Sequence, residues 1–129
     1  MIFSIVSSVS YTLDFKQTKI IKLKKDEQKK ILVKYENFEK LFEFRWTLYK
    51  NGGLIIHRAY DKIVAQNVLY KRYKNNFFRL ELKSRGKSKS FSAPYLLVKF
   101  EKFDFQKSEA VFKIFLYDNK QDVKLEDIN

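Results

Sequence analysis

Few residues in this 129-residue chain could do chemistry: there is one histidine, His57, and no cysteine. A histidine-driven relay needs a nucleophile on one side of the imidazole and an acidic group on the other, both within hydrogen-bonding reach. Asp61 lies on the same side of an extended strand as His57 but about 13 Å along it, too far to orient the ring. All the serines but Ser108 fall in two clusters, Ser4–Ser10 and Ser84–Ser92, with no glycine-flanked elbow to present a hydroxyl. One imidazole without thiolates cannot complete a zinc site, and no dense acidic loop suits calcium. Gly52-Gly53 and the isolated Gly86 do not make a phosphate-cradling loop. Glu43 and Asp61 could meet across a hairpin in one register, but lysines nearby suit ion pairing better. The expectation is a chain that is not an enzyme, with no catalytic residues, no metal and no cofactor.

Charge is the stronger signal. The chain carries a net +12, and between Lys71 and Lys102 ten basic residues stand against only Glu81 and Glu101. If Asn75-Asn76 closes a two-residue hairpin, the segments on either side present Tyr70, Arg72, Lys74, Phe77, Arg79 and Lys83 on one face. Leu69 and Leu82 then lie on the other. Arg85, Lys87 and Lys89 in the following loop extend the basic face. Such a surface can hold backbone phosphates or sulfates while rings stack on bases or sugars, which makes a polyanion (nucleic acid, acidic glycan or anionic lipid) a candidate partner. Composition tempers that reading: the 27 basic residues include 22 Lys and 5 Arg, alongside 10 Ile and 7 Asn but 3 Gly and 1 Pro. An AT-rich bacterial genome produces that bias without selection for polyanions, and phosphate clamps favour the planar guanidinium that is scarce here.

The elements that must position these residues read as strands. Apolar and polar residues alternate over short runs, separated by turn residues about every ten positions. Met1–Phe15 alternates in this way, and it has no basic residue before Lys16 and serines within its apolar run. It reads as a strand, with the remnant of an export signal over residues 1–9 as the rival. Lys19–Lys25 follows, with Ile21 and Leu23 inward. Lys29–Glu36 has Ile31, Val33 and Tyr35 inward. Leu41–Tyr49 places Phe42, Phe44, Trp46 and Leu48 together. Asn51-Gly52-Gly53 supplies the strongest hairpin signal, after which Leu54–Val64 returns in a register that depends on loop length. Asn67–Tyr73 pairs with Phe77–Lys83, and Leu96–Asp104 with Ala110–Tyr117 around Gln106–Glu109. In that last pair both faces carry large apolar groups, with Val98, Phe100, Phe115 and Tyr117 on one and Leu97, Phe103, Phe112, Ile114 and Leu116 on the other. Residues 118–129 form a charged tail, either frayed or a short edge strand.

The run Trp46-Thr-Leu-Tyr-Lys-Asn-Gly-Gly-Leu54 resembles the third strand and following turn of immunoglobulin-like domains, which carry a core Trp before a short strand and an Asn-Gly turn. The likeness covers residues 42–54; the Cys pair that would flank the Trp and the tyrosine-corner pattern are absent. It implies a core position for Trp46 and a module for adhesion, assembly or ligand display, often in the cell envelope. The expected fold is therefore all-β: one domain over residues 1–129, an antiparallel two-sheet sandwich of about eight or nine strands, with a closed β-barrel as the alternative. The expected function is noncatalytic interaction or assembly at a bacterial cell envelope or periplasm, through a protein partner or self-association at a strand edge. Polyanion binding on the basic face, and an apolar ligand held inside a barrel, are the alternatives. No window is long and apolar enough for a membrane helix.

Overall fold

The computed structural model describes residues 17–71, 75–82, 93–118 and 122–128. Within them the chain forms nine strands: β1 (Gln17–Lys24), β2 (Lys29–Tyr35), β3 (Phe38–Lys50), β4 (Gly53–Tyr60), β5 (Ile63–Tyr70), β6 (Phe77–Glu81), β7 (Tyr95–Asp104), β8 (Glu109–Tyr117) and β9 (Lys124–Asp127). They make two antiparallel sheets, a four-stranded one in the order β1-β8-β7-β6 and a five-stranded one in the order β5-β4-β3-β2-β9. This is the expected sandwich. The sheets do not close into a barrel, so the apolar-ligand alternative loses its container. Each sheet is mainly a meander of sequential neighbours, so the likeness to immunoglobulin domains is one of layered architecture, with a strand order of its own. The proposed strand Met1–Phe15 lies outside the described residues.

Turn chemistry explains most of the pairing. Lys50 pairs with Gly53 around Asn51 and Gly52, both at positive φ (55° and 79°). That two-residue loop has the twist of a tight hairpin and fixes the register of β4. A second tight turn at Asp61-Lys62 (φ 52° and 71°) splits the expected Leu54–Val64 strand into the end of β4 and the start of β5. A lysine is uncommon in that conformation, which is why the turn carries no glycine signal. Between β7 and β8, the Asp104 carboxylate accepts from the N–H groups of Gln106 and Lys107 at 3.0 and 3.2 Å and closes the loop.

The hairpin expected around Asn75-Asn76 does not form. β5 pairs with β4 in one sheet, and β6 pairs with β7 in the other. Asn75 and Asn76 have the side chains of a turn, but the chain uses this segment to change sheets. The Tyr70 N–H donates to Asn75 O at 3.2 Å, and the Phe100 N–H donates to Asn76 O at 2.8 Å. Leu69 and Leu82 are both buried as expected, yet Leu69 lies on β5 and Leu82 just past the end of β6, and they do not face each other as a strand pair.

Alternation supplies the core, and two bulges correct its phase. Ile31, Val33, Phe42, Phe44, Leu54, Ile56, Leu96, Val98, Phe100, Phe112, Ile114 and Leu116 are buried between the sheets, each having left water for apolar contact at roughly 1.5–3 kcal/mol. β3 slips register between Trp46 and Leu48. The extra residue turns Leu48 outward (45 % exposed) and brings Tyr49 in, so Leu48 does not join Phe42, Phe44 and Trp46. β7 slips likewise between Phe100 and Lys102, which places Phe103 beside Phe100. Phe103 then stacks on Tyr49 with centroids 4.4 Å apart and meets the Trp46 edge at 5.5 Å. The expected grouping of the β7–β8 hairpin also changes: Val98 faces Ile114 and Phe100 faces Phe112 on one inward side, while Leu97 and Phe115 pair on the outer side.

Polar contacts bridge the layers. The Trp46 indole N–H donates to Leu23 O at 2.8 Å, and the Tyr60 hydroxyl donates to Leu82 O at 2.7 Å. Asp127 on β9 accepts from Lys19 on β1 at 3.0 Å and sits 3.3 Å from Lys29 on β2, so the charged tail is in part an edge strand.

Candidate functional site

Of the nine residues of the expected basic face, the three described ones, Tyr70, Phe77 and Arg79, divide between the two sheets. Arg72, Lys74, Lys83, Arg85, Lys87 and Lys89 lie outside the described residues. Tyr70 belongs to β5 of the five-stranded sheet, where its ring covers Gly53: a Cβ there would stand 2.9 Å from the Tyr70 ring. Phe77 and Arg79 belong to β6 at the edge of the four-stranded sheet. The change of sheet between them separates Tyr70 from that pair.

Phe77 and Arg79 instead join an outer face that the sequence reading did not assemble. Pairing registers place Ile20, Lys113, Lys99 and Phe77 in one row across β1, β8, β7 and β6. The next row is Thr18, Phe115, Leu97 and Arg79. Lys99 and Lys113 stand directly opposite each other on the two central strands, an arrangement that costs free energy unless something anionic lies nearby. Their ammonium groups lean apart, Lys99 to Glu101 at 3.4 Å and Lys113 over the Phe115 ring at 5.4 Å. Arg79 is held locally: its guanidinium lies 3.8 Å over Tyr95, and its Nε donates to Glu81 at 2.6 Å. Phe77 and Ile20 are exposed. The signal that could have found this face is the outward parity of Lys99 and Lys113, but it depends on a register that the bulge in β7 conceals.

The second surface is the β5 edge of the five-stranded sheet, which no described strand covers. β5 ends that sheet, and its sequence, Ile-Val-Ala-Gln-Asn-Val-Leu-Tyr, contains no charged residue. Ile63 and Val64 are 75 and 77 % exposed, and Ala65, Gln66 and Val68 are exposed too. The start of β5 is thus bare on both faces as well as along its edge. On the outer face Leu48, Ile55 and Val68 form an apolar row across β3, β4 and β5. On the inner face Arg58 props the strand: its Nε donates to Asn67 at 2.7 Å, and its guanidinium lies 4.5 Å over Phe78. Burial pulls the Arg58 pKa down from its ordinary value.

The candidate catalytic groups are dispersed. His57 points outward on β4, opposite Arg45 and Gln66, in a shallow cleft of about 430 Å³. Glu43 in the same cleft accepts from Gln28 at 2.8 Å, and Arg45 pairs with Asp26 at 3.4 Å. Asp61 sits in the β4–β5 turn and pairs with Lys40 at 3.5 Å, so it does not meet Glu43. Among the described residues no three histidine or acidic side chains converge as metal ligands would. No family model, curated protein or solved structure matches this chain.

Proposed function

We propose that the chain is a noncatalytic interaction and assembly domain that engages its partner by strand addition at the outer edge of β5. One observation carries the reading: an eight-residue edge strand without a single charge, in a chain where a third of the residues are charged. Folded proteins protect long apolar edges with lysine, proline, bulges or short strands, because unpaired main-chain groups recruit other strands. β5 has none of these protections, which suits an edge meant to be occupied. The reading extends to a bacterial cell envelope, on composition and on the likeness to immunoglobulin-like modules; recovery of the native protein in the cytosol on fractionation would remove that part. The edge is tested by placing a photoreactive residue at Gln66 and, separately, at Ile20 on β1 in the producing cell. A discrete adduct from position 66 and none from position 20 is the expected result. Equal or absent labelling at the two positions overturns the reading.

A second reading rests on the Lys99–Lys113 pair. The outer face of the four-stranded sheet, with Phe77 and Phe115 beside these cations, suits an anionic polymer that lays its charges along the row. It predicts binding to single-stranded DNA or heparin that weakens steeply with salt and falls about 10-fold or more when both lysines become glutamate. Binding that ignores salt, or survives the double substitution, excludes it.

A further inference from the structure

We infer that the occupant of the β5 edge is a second copy of this chain, paired antiparallel about a two-fold axis at Gln66. The inference rests on the edge reading proposed above and adds the partner and the register. Main-chain geometry sets that register. Tyr60 and Ile63 flank a two-residue turn, so they form the closely bonded pair of the β4–β5 hairpin. Ile63, Ala65, Asn67 and Leu69 therefore turn their N–H and C=O groups toward β4, and Val64, Gln66 and Val68 turn theirs away from the sheet. The Tyr70 N–H points outward with them but already donates to Asn75 O at 3.2 Å, which ends the open stretch. Two such edges satisfy one another only when outward groups meet outward groups. The centred solution places Gln66 opposite Gln66 of the second copy, and Val64 opposite its Val68. The two facing amides can each donate and accept, and the valines bury apolar surface that is otherwise wet.

Charge selects a second copy as the occupant. Two copies of a chain with net +12 repel, so a symmetric contact must keep cations away from their own images. The other three edges of the described sheets all bring cations into such a contact: β1 carries Lys19, Lys22 and Lys24 with no acidic residue, β6 carries Arg79 with Glu81, and β9 carries Lys124 with Glu126 and Asp127. β5 is the one described edge strand without any charge, so it alone faces itself in every register without opposing like charges. An acidic partner would gain nothing from β5 and more from the basic β1 edge. The contact is the same patch on both copies, so it closes as a dimer and joins two five-stranded sheets into one continuous sheet.

The test is the mass of the purified full-length chain by sedimentation across a dilution series at near-physiological salt. The expected species is twice 15.6 kDa, dissociating on dilution. Gln66→Lys sets two ammonium groups opposite each other at the axis and raises the dissociation constant at least about 10-fold. The Gln66 side chain is exposed and its main-chain groups are not used by β4, so the circular dichroism spectrum stays that of the parent. Gln66→Glu alone is also weakened, and an equimolar mixture of Gln66→Lys and Gln66→Glu recovers the dimer. Ile20→Lys on the β1 edge leaves the mass unchanged. A parent chain that is monomeric at high concentration overturns the pairing, as does a dimer indifferent to Gln66→Lys. If that monomer still gives a discrete adduct with another protein from position 66, the two-fold pairing fails while the edge reading stands; if the adduct is also missing, both fail.

Discussion

Two tyrosine hydroxyls end in the same interior, and only one has found a partner. Tyr60 donates to Leu82 O at 2.7 Å, whereas the buried Tyr35 hydroxyl has no hydrogen-bond partner among the described residues. Removing a bonded hydroxyl strands the carbonyl it served, while removing an orphan relieves a desolvated group. Tyr60→Phe should therefore cost about 1–2 kcal/mol in urea unfolding at neutral pH, and Tyr35→Phe should be neutral or stabilising. Both groups also shape the alkaline limb. Burial, then the charge of Glu36, pushes Tyr35 up to about 12. Burial, then Tyr35 and the charge of Asp61, pushes Tyr60 up as well. The folded state then holds protons that the unfolded chain releases, so stability is intact below the ordinary tyrosine pKa of about 10 and falls as pH rises through 12. The double Phe variant should flatten that fall; an unchanged alkaline midpoint would contradict the assignment.

Strands were the legible elements, because inward residues repeat every second position and most of this chain obeys that rule. β2 needed nothing more than Ile31, Val33 and Tyr35, and the Asn51-Gly52 turn announced itself by residue type. Three features hid from the pattern for physical reasons. A bulge adds one residue without marking it, so Leu48 and Tyr49 exchanged places. Asp61-Lys62 adopts a left-handed turn with no glycine. Asn75-Asn76 has the composition of a hairpin but spans two sheets, and with that the three described residues of the expected basic face separate: Tyr70 goes one way, Phe77 and Arg79 the other. The two glycines of the β3–β4 turn separate two kinds of constraint. Gly52 has φ +79° with open space around it, so Gly52→Ala should cost about 1 kcal/mol through the backbone alone. Gly53 is instead covered by Tyr70, so the cost of Gly53→Ala should largely vanish in a Tyr70→Ala background. Additive costs in that double-mutant cycle would show that the ring is not the obstacle.

Across the whole molecule, a net +12 sits on a shell around an interior built from β3 aromatics facing the opposite sheet. Repulsion within that shell is screened by salt while the core is not, so the thermal midpoint should rise by a few degrees from about 20 to 300 mM NaCl. A falling midpoint would mean that ion pairs such as Lys34–Glu126 outweigh the excess charge. The order of strands has a further consequence, for the time course of folding. β2 through β5 are joined by tight turns and can zip locally, whereas β1 reaches its neighbour only by bringing Gln17 to Leu116. Closing so long a loop loses more chain entropy than any hairpin here, so the first and last strands should dock after the rate-limiting barrier. In stopped-flow refolding, Ile56→Val should slow folding, and Leu23→Ala should act mainly by speeding unfolding. The reverse partition would place the nucleus at the chain ends.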